Sequence, residues 1–308
     1  MIVTCTMNPA IDLFISTKKL EAGKVNRTEN NDIQPNGKGV NVSFVLKMLG
    51  VENTATGFIG GFTGDFINEE LINKGIQTNF VTVDETTRIN VFTNVLEEKE
   101  EYKIVNKGPK ISRESFQELI NILSELAKGD MLVVSGSNPE GINDADLLEI
   151  AKLCQEREVR LVIDTSSPIL LEIINYHPYC IKPNEEELMQ LFNIKELTED
   201  NIKYYGKYLV ELGAENVIVS LGSKGAILFN KETILRGNAP KGELVNSACA
   251  GDTMLGTFIA LKEKGYVDDS ALRTAIAAAS STAFTEGLTD FDDVPELENE
   301  IEIRKVMD

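Results

Sequence analysis

Asn246-Ser-Ala-Cys-Ala-Gly-Asp252-Thr-Met-Leu-Gly-Thr257 passes from small and polar residues into an apolar helical pattern of Met254, Leu255, Phe258, Ile259 and Leu261. Ala250, Gly251 and Asp252 fall where that helix begins. The first N–H groups of a helix lack intrahelical partners and carry the positive end of its dipole, so the start is a ready anion site. Gly251 has no side chain to hold an anion off the backbone. Asp252 sets a carboxylate at the same point, able to take a proton from a hydroxyl. A simple helix cap is the competing reading of Asp252, a role Asp often fills.

Other polar or glycine-rich loops accompany this one: Asn36-Gly-Lys-Gly39, Gly57-Phe-Ile-Gly-Gly-Phe-Thr-Gly64, Ser135-Gly-Ser-Asn-Pro139, Lys182-Pro-Asn-Glu185 and Ser220-Leu-Gly-Ser-Lys-Gly225. The elements between them alternate. Strands are expected at Ile2–Met7, Thr54–Gly60, Met131–Ser135, Arg160–Asp164, Cys180–Lys182, Asn216–Leu221 and Gly225–Phe229. Helices are expected at Gly39–Leu49, Asp65–Lys74, Ser112–Leu126, Asp144–Arg157, Glu185–Phe192, Asn201–Leu212, Asp252–Lys264 and Asp269–Thr285. Such alternation predicts a three-layer α/β/α fold on a mostly parallel central sheet. Ligands of such sheets bind beyond the carboxyl ends of the strands, where these loops lie.

Two stretches, 12–33 and 86–107, break the alternation. They carry strand-like pieces at Leu13–Ser16, Val25–Thr28, Ile89–Leu96 and Tyr102–Val105 without intervening helices. They read as a small β lid on a single domain spanning 1–308, with two ordinary edge hairpins as the alternative. A lid over a site is a common way to exclude water.

The 308 residues carry a net charge of −19, from 30 basic and 49 acidic side chains. That balance argues against nucleic-acid and acidic-membrane partners. The acidic runs Glu97-Glu-Lys-Glu-Glu101 and Asp290 to Asp308 read as solvated surface. The four cysteines, Cys5, Cys154, Cys180 and Cys249, form no C-x-x-C pair, and reduced thiols in a cytoplasmic protein are the simple expectation. The N-terminus reads as a strand rather than a signal peptide, and no run approaches the ~20 apolar residues of a membrane span. The single histidine, His177, is expected in a loop, with no nucleophile motif beside it. No G-x-x-x-x-G-K-[ST] segment is present, which argues against a Walker-type ATPase.

Three ordered segments resemble the signatures of PfkB-type sugar kinases of the ribokinase superfamily: Gly37-Lys-Gly-Val-Asn41-Val, Lys182-Pro-Asn184-Glu-Glu-Glu187 and Ala250-Gly-Asp252-Thr. The resemblance runs over nearly the whole chain. Within the family the chain is most similar to bacterial 1-phosphofructokinases, through Thr6-Met-Asn-Pro-Ala-Ile-Asp12, Gly57 to Gly64 and Thr87-Arg-Ile-Asn-Val91. It implies a ribokinase-like fold and ATP-dependent phosphorylation of fructose 1-phosphate to fructose 1,6-bisphosphate. A tagatose-6-phosphate kinase or another hexose-phosphate kinase is the alternative, and a non-catalytic sugar-phosphate-binding regulator a further one. Three positions depart from the family pattern: Asn36 and Cys249 stand where glycine is usual, and Phe44 where Arg is frequent.

The resemblance makes Asp252 the general base, with the N–H groups of Ala250 and Gly251 holding the transferring phosphoryl charge. It assigns Asp12, Gly37, Gly39 and Asn41 to the sugar. Arg88, Lys38 and Lys24 are the candidates for the substrate phosphate, with added contacts from Ser137 and Asn138. Lys182, Asn184, Ser220, Gly222, Ser223, Lys224, Gly225 and Cys249 fall on the ATP side, and Ser280 is an adenine-side candidate. Asn184 and Glu187 would organise Mg²⁺, partly through water, or form a helix cap. A monovalent cation is an open addition to ATP and Mg²⁺. Open edges on the lid strands admit a homodimer through the lid.

Overall fold

The computed structural model describes residues 1–306. In chain order the first half contains β1 (Ile2–Thr6), β2 (Ala10–Thr17), β3 (Asn30–Asn36), α1 (Lys38–Met48), β4 (Thr54–Ile59), α2 (Gly61–Asn73), β5 (Gln77–Thr78), β6 (Val81–Thr82), β7 (Arg88–Val95), β8 (Glu100–Ile104), α3 (Arg113–Leu123), β9 (Met131–Ser135) and α4 (Asp144–Glu156). The second half contains β10 (Arg160–Asp164), α5 (Leu170–Ile173), β11 (Cys180–Ile181), α6 (Glu185–Phe192), α7 (Glu199–Leu212), β12 (Asn216–Ser220), β13 (Ala226–Asn230), β14 (Ile234–Gly237), α8 (Ala250–Glu263), α9 (Asp268–Ala283), α10 (Val294–Glu298) and β15 (Ile303–Lys305).

The large sheet runs β15-β14-β13-β12-β11-β10-β9-β1-β4-β5, with β6 also on β4. It is parallel from β12 through β5, and antiparallel only from β12 to β15. Its central strands are buried on both faces, so they read as continuous apolar runs. Alternate residues feed opposite layers. Leu132, Val134, Leu161, Ile163 and Val217 pack with Phe116, Leu119, Ile150 and Leu209 of α3, α4 and α7. Met131, Val133, Val162 and Ile218 pack with Leu46, Leu255, Phe258 and Leu272 of α1, α8 and α9. The three-layer expectation holds.

The second sheet has the order β3-β2-β7-β8. Its stretches match the two that break the alternation, with one correction. Val25–Thr28 is exposed and outside any strand, and the strand is the polar Asn30–Asn36. Pairing with β2 along Ala10↔Asn36 to Ser16↔Asn30 sets that strand, and its exposed edge tolerates polar side chains.

The tail also departs from the reading as solvated surface. Val294 and Ile301 are buried, Ser281 Oγ donates to Asp293 at 2.5 Å, and β15 closes the large sheet. Asp308, the far end of that acidic run, lies outside the described residues. α2 begins at Gly61, earlier than expected, because Gly60 and Gly61 pack against the backbone of Val83, Glu85 and Thr86, where no Cβ fits. His177 lies in a loop, exposed, in the left-handed region. Among the described residues no helix is long and apolar enough to cross a membrane.

Candidate active site

The start of α8 differs from the four helix starts that carry a side-chain cap. Ser112, Asn143, Asn184 and Thr198 cap α3, α4, α6 and α7 with side-chain oxygens. At α8 the cap position is Cys249, in the left-handed region at φ 64°, and no side chain caps the first turn. N–H groups left without a side-chain cap can hold an anion. α1 also starts without a side-chain cap, at Gly37 with φ 139°. A Cβ at Gly37 or Gly39 would strike Thr6 at the end of β1, so only glycine lets α1 begin against that strand.

Asp252 is not a cap. Its carboxylate is buried, and Oδ2 accepts from Asn41 Nδ2 at 2.8 Å. Burial, reinforced by the Asp164 carboxylate, pushes its pKa up to about 6, against the Asn41 hydrogen bond, Lys38 and Lys182. A base in that range is ionised at neutral pH and still a useful proton acceptor. Lys182, buried after β11, stands over the same helix start: a Cβ on Gly251 would sit 3.1 Å from its ammonium.

Sequence reasoning missed Asp164. It ends β10, is buried, and pairs with Lys38 at 3.2 Å and Lys182 at 3.6 Å, while neither carboxylate oxygen has a hydrogen-bond partner. A lone Asp at a strand end carries no motif, so only the fold reveals it. Lys38 also lies 3.8 Å from Glu187. Burial weakens the Lys38 ammonium, but Asp164, Glu187 and Asp252 outweigh it and hold the pKa above the ordinary value. Lys38 thus joins this carboxylate cluster and also lines the cleft that holds Asp12 and Arg88.

Asn184 and Glu187 form a reciprocal capping box: Asn184 Oδ1 accepts from the Glu187 N–H at 2.8 Å, and Glu187 Oε2 from the Asn184 N–H at 2.9 Å. That leaves Glu187 Oε1 toward Lys38. Asn184 bridges to Ser220 beside it. Gly222, Ser223 and Lys224 form the exposed turn after β12, Gly225 closes it at φ 92°, and Lys224 pairs with Glu185 at 3.0 Å. These ATP-side candidates share one edge.

On the other side, a cleft of about 390 Å³ opens between the small sheet and the large one, lined among others by Thr6, Asp12, Asn36, Gly37, Arg88 and Ser137. Asp12 is buried; its oxygens accept from Asn90 Nδ2 at 2.8 Å and Asn36 Nδ2 at 2.5 Å. Burial raises its pKa, opposed by those hydrogen bonds and Arg88. The Arg88 guanidinium is held by backbone carbonyls, of Asn106 at 3.0 Å and Asn8 at 2.9 Å, and its Nε has no partner. Among the described residues no carboxylate pairs with it directly and Asp12 acts on it only through its charge, so the Nε–H is left to meet a ligand anion. Asn8, missed from sequence, spans Lys107 and Ser137 across the mouth.

Three candidates fall elsewhere, as does Phe44. Lys24 sits on an exposed turn of the small sheet, paired with Glu21 at 2.8 Å. Asn138 is not among the cleft-lining residues. Ser280 spends its hydroxyl on the Ile276 carbonyl of α9. Phe44, one of the three departures from the family pattern, packs with a core cluster of Ile11, Val40 and Leu71. A larger cleft of about 550 Å³, lined by Lys207, Glu211, Asn230 and Lys305, lies at the start of β12 rather than its carboxyl end, away from every motif.

Residues 3–295 match the model of the pfkB family carbohydrate kinases. The chain is 48% identical to a D-tagatose-1-phosphate kinase of Bacillus licheniformis, over 98% of this chain and 99% of that one. It is 37% identical to a 1-phosphofructokinase of Bacillus subtilis, over 99% and 100%. Phosphofructokinase-2 of Escherichia coli in complex with substrates and products superposes with a TM-score of 0.91 at 26% identity, over 97% and 98%. The same enzyme has been solved with potassium, at a TM-score of 0.90, 27% identity and 97% and 98% coverage, and as a tetrameric inhibited form, at 0.89, 27% and the same coverage. The chain belongs to the pfkB family of carbohydrate kinases. It has the ribokinase-like fold and is an ATP-dependent sugar-phosphate kinase.

Proposed function

We propose that this kinase phosphorylates the free primary hydroxyl of a ketohexose 1-phosphate to give the 1,6-bisphosphate, with fructose 1-phosphate as the substrate read from the sequence. The observation that carries it is a cleft lined by Arg88, Asp12 and Asn36, with Asn36 joined through Asn41 to Asp252 at the uncapped start of α8. Arg88 takes the phosphate already on the sugar, and Asp12 orients the hydroxyls. Asp252 removes the proton of the attacking hydroxyl, while the N–H groups of Ala250 and Gly251 and the Lys182 ammonium receive the charge of the transferred group. A second reading, the C4 epimer D-tagatose 1-phosphate, is favoured by the relative at 48% identity.

The Asp164 carboxylate, ion-paired but without a hydrogen-bond donor, and the outer oxygen of Glu187 suit Mg²⁺ held largely through water. Among the described residues no cluster of three or more His, Cys, Asp or Glu offers direct ligation. Bound there with ATP, the ion would neutralise charge on the phosphates. The unpaired edges of β3 and β8 support a homodimer through the small sheet, which light scattering tests.

The test is ADP release with Mg·ATP and fructose 1-phosphate, D-tagatose 1-phosphate, fructose 6-phosphate and tagatose 6-phosphate, with and without EDTA and potassium. Turnover on a 1-phosphate, lost with EDTA, supports the reading. Preference for a 6-phosphate sinks it.

A further inference from the structure

Asn36 lies where the small sheet meets the catalytic floor: it is the last residue of β3, paired with Ala10, and directly precedes the start of α1. Every hydrogen-bonding site of its carboxamide is engaged. Nδ2 donates to Asp12 Oδ2 at 2.5 Å and faces Cys249 Sγ at 3.7 Å. Oδ1 accepts from the Gly37 N–H at 2.5 Å and from Asn41 Nδ2 at 2.9 Å. Asn41 Nδ2 in turn reaches Cys249 Sγ at 3.2 Å and Asp252 Oδ2 at 2.8 Å. The amide has one orientation, since a flip would set its donor against the donors of Gly37 and Asn41. A continuous path results, from the sugar carboxylate Asp12 through Asn36 and Asn41 to the base Asp252.

We propose that Asn36 is a positioning residue that couples the sugar site to the catalytic base, holding Asp12 in place with its amide nitrogen and Asn41 against Asp252 with its amide oxygen. A glycine here would leave Asp12 with one amide donor, from Asn90, and Asn41 without the acceptor that aims it. Cys249 supplies the third side of the junction; its thiol, pushed up to about 12 by burial and by Asp252 and Asp12, stays protonated and serves as contact rather than charge. The proposal rests on the sugar-phosphate kinase reading of this cleft.

Asn36→Gly tests both arms. The expected result is a roughly tenfold rise in KM for the ketohexose phosphate, as for a lost hydrogen bond to a charged group, with KM for ATP unchanged. Loosening Asn41 also moves the acid limb of the kcat/KM profile to higher pH, because the hydrogen bond that favours the ionised base is weakened. The other groups facing Asp252 remain: Asp164 from β10, Lys182 after β11, Lys38 from α1 and Cys249 in its own loop. Asn36→Ser, which keeps one short donor and acceptor, should fall between the two and serves if the glycine variant does not fold. Both parameters at wild-type values overturn the proposal. A raised sugar KM with an unmoved acid limb also overturns it, because Asn36 would then be a local sugar contact without coupling. The pH dependence of Tm reads the Asn41–Asp252 arm without substrate. If the wild type turns over no ketohexose phosphate, the functional reading fails, while an altered Tm profile in Asn36→Gly still upholds the coupling and an unaltered one overturns it.

Discussion

In the large sheet β1 and β9 are buried along every residue, whereas in the small sheet β8 is exposed along its whole length and β3 along more than half. Both contribute to one cleft. The large sheet ends in Asp164 and Lys182 and supports the start of α8, so Asp252, the proposed base, and the cations near it are fixed by packed core on two faces. The small sheet presents Asp12 and Arg88 from its inner strands β2 and β7, fixed by amides, carbonyls and the Phe14–Phe92 stack at 5.0 Å. On the proposed reading the difference divides the labour: chemistry is preorganised on the rigid floor, and sugar capture depends on a thinner element with open edges.

The largest effect should come from the floor. Asp252→Asn should lower kcat by about 10²-fold or more, by loss of the base. Its stability should move the other way. The folded-state pKa of Asp252 is raised to about 6. The stabilising contribution of the protonated form is therefore present below the ordinary carboxylate range and lost as pH rises through about 6. Above that pH the ionised, buried group is a burden, and Asn removes it. Thermal unfolding at pH 8 should show a more stable variant, by on the order of 3 kcal/mol at most, with the gain disappearing in acid. The wild-type rate should fall as pH drops below about 6. A variant that is inactive and equally destabilised at every pH would place Asp252 among structural residues and erase the contrast.

Arg88→Ala attacks the small sheet. Removal costs the two hydrogen bonds to the Asn106 and Asn8 carbonyls, which should lower stability by on the order of 1–3 kcal/mol, while KM for the sugar phosphate rises about tenfold to a hundredfold. The KM for ATP should not change. A fall in kcat alone, with KM for the sugar phosphate constant, would mean that Arg88 acts on the floor and that the two sheets are not separate in role.

The same contrast explains what the sequence made legible. Met131–Ser135 and Arg160–Asp164 were readable because strands buried on both faces must be apolar throughout. β3 was not, because Asn-Asn-Asp-Ile-Gln-Pro-Asn is held by its register with β2 and not by its own pattern; the β-branched Val25 nearby was the stronger local signal. β5 and β6, of two residues each, have no period to detect. Asp252 and Gly251 stood out at a helix start, and Asn41 through the family resemblance. Asp164, Asn8 and Asn90 did not, because isolated Asp and Asn residues acquire their roles only from neighbours distant in sequence.

Gly251→Ala sharpens the floor side. Its added Cβ would meet the Lys182 ammonium at 3.1 Å, in a place where the buried lysine has little room to give. Loss of alignment between that cation and the helix N–H groups should lower kcat by roughly tenfold, with sugar KM nearly unchanged. An unchanged kcat would show that Lys182 moves freely, and that the floor is less rigid than its burial implies.

The smallest effect belongs to Lys24. Sequence placed it with the phosphate ligands, but it occupies an exposed turn of the small sheet and pairs with Glu21 at 2.8 Å, both side chains at least half exposed. Exposed pairs of this kind contribute on the order of 0.5 kcal/mol or less. Lys24→Ala should therefore leave Tm and kcat/KM near wild type. The measurement discriminates because the turn is carried by the same sheet as Arg88. A sugar KM raised as far as in Arg88→Ala would require the whole small sheet to swing inward on binding, bringing the turn onto the substrate phosphate. An unchanged KM means that the cleft is already close to its working shape, with Arg88 as the cation that meets the sugar phosphate.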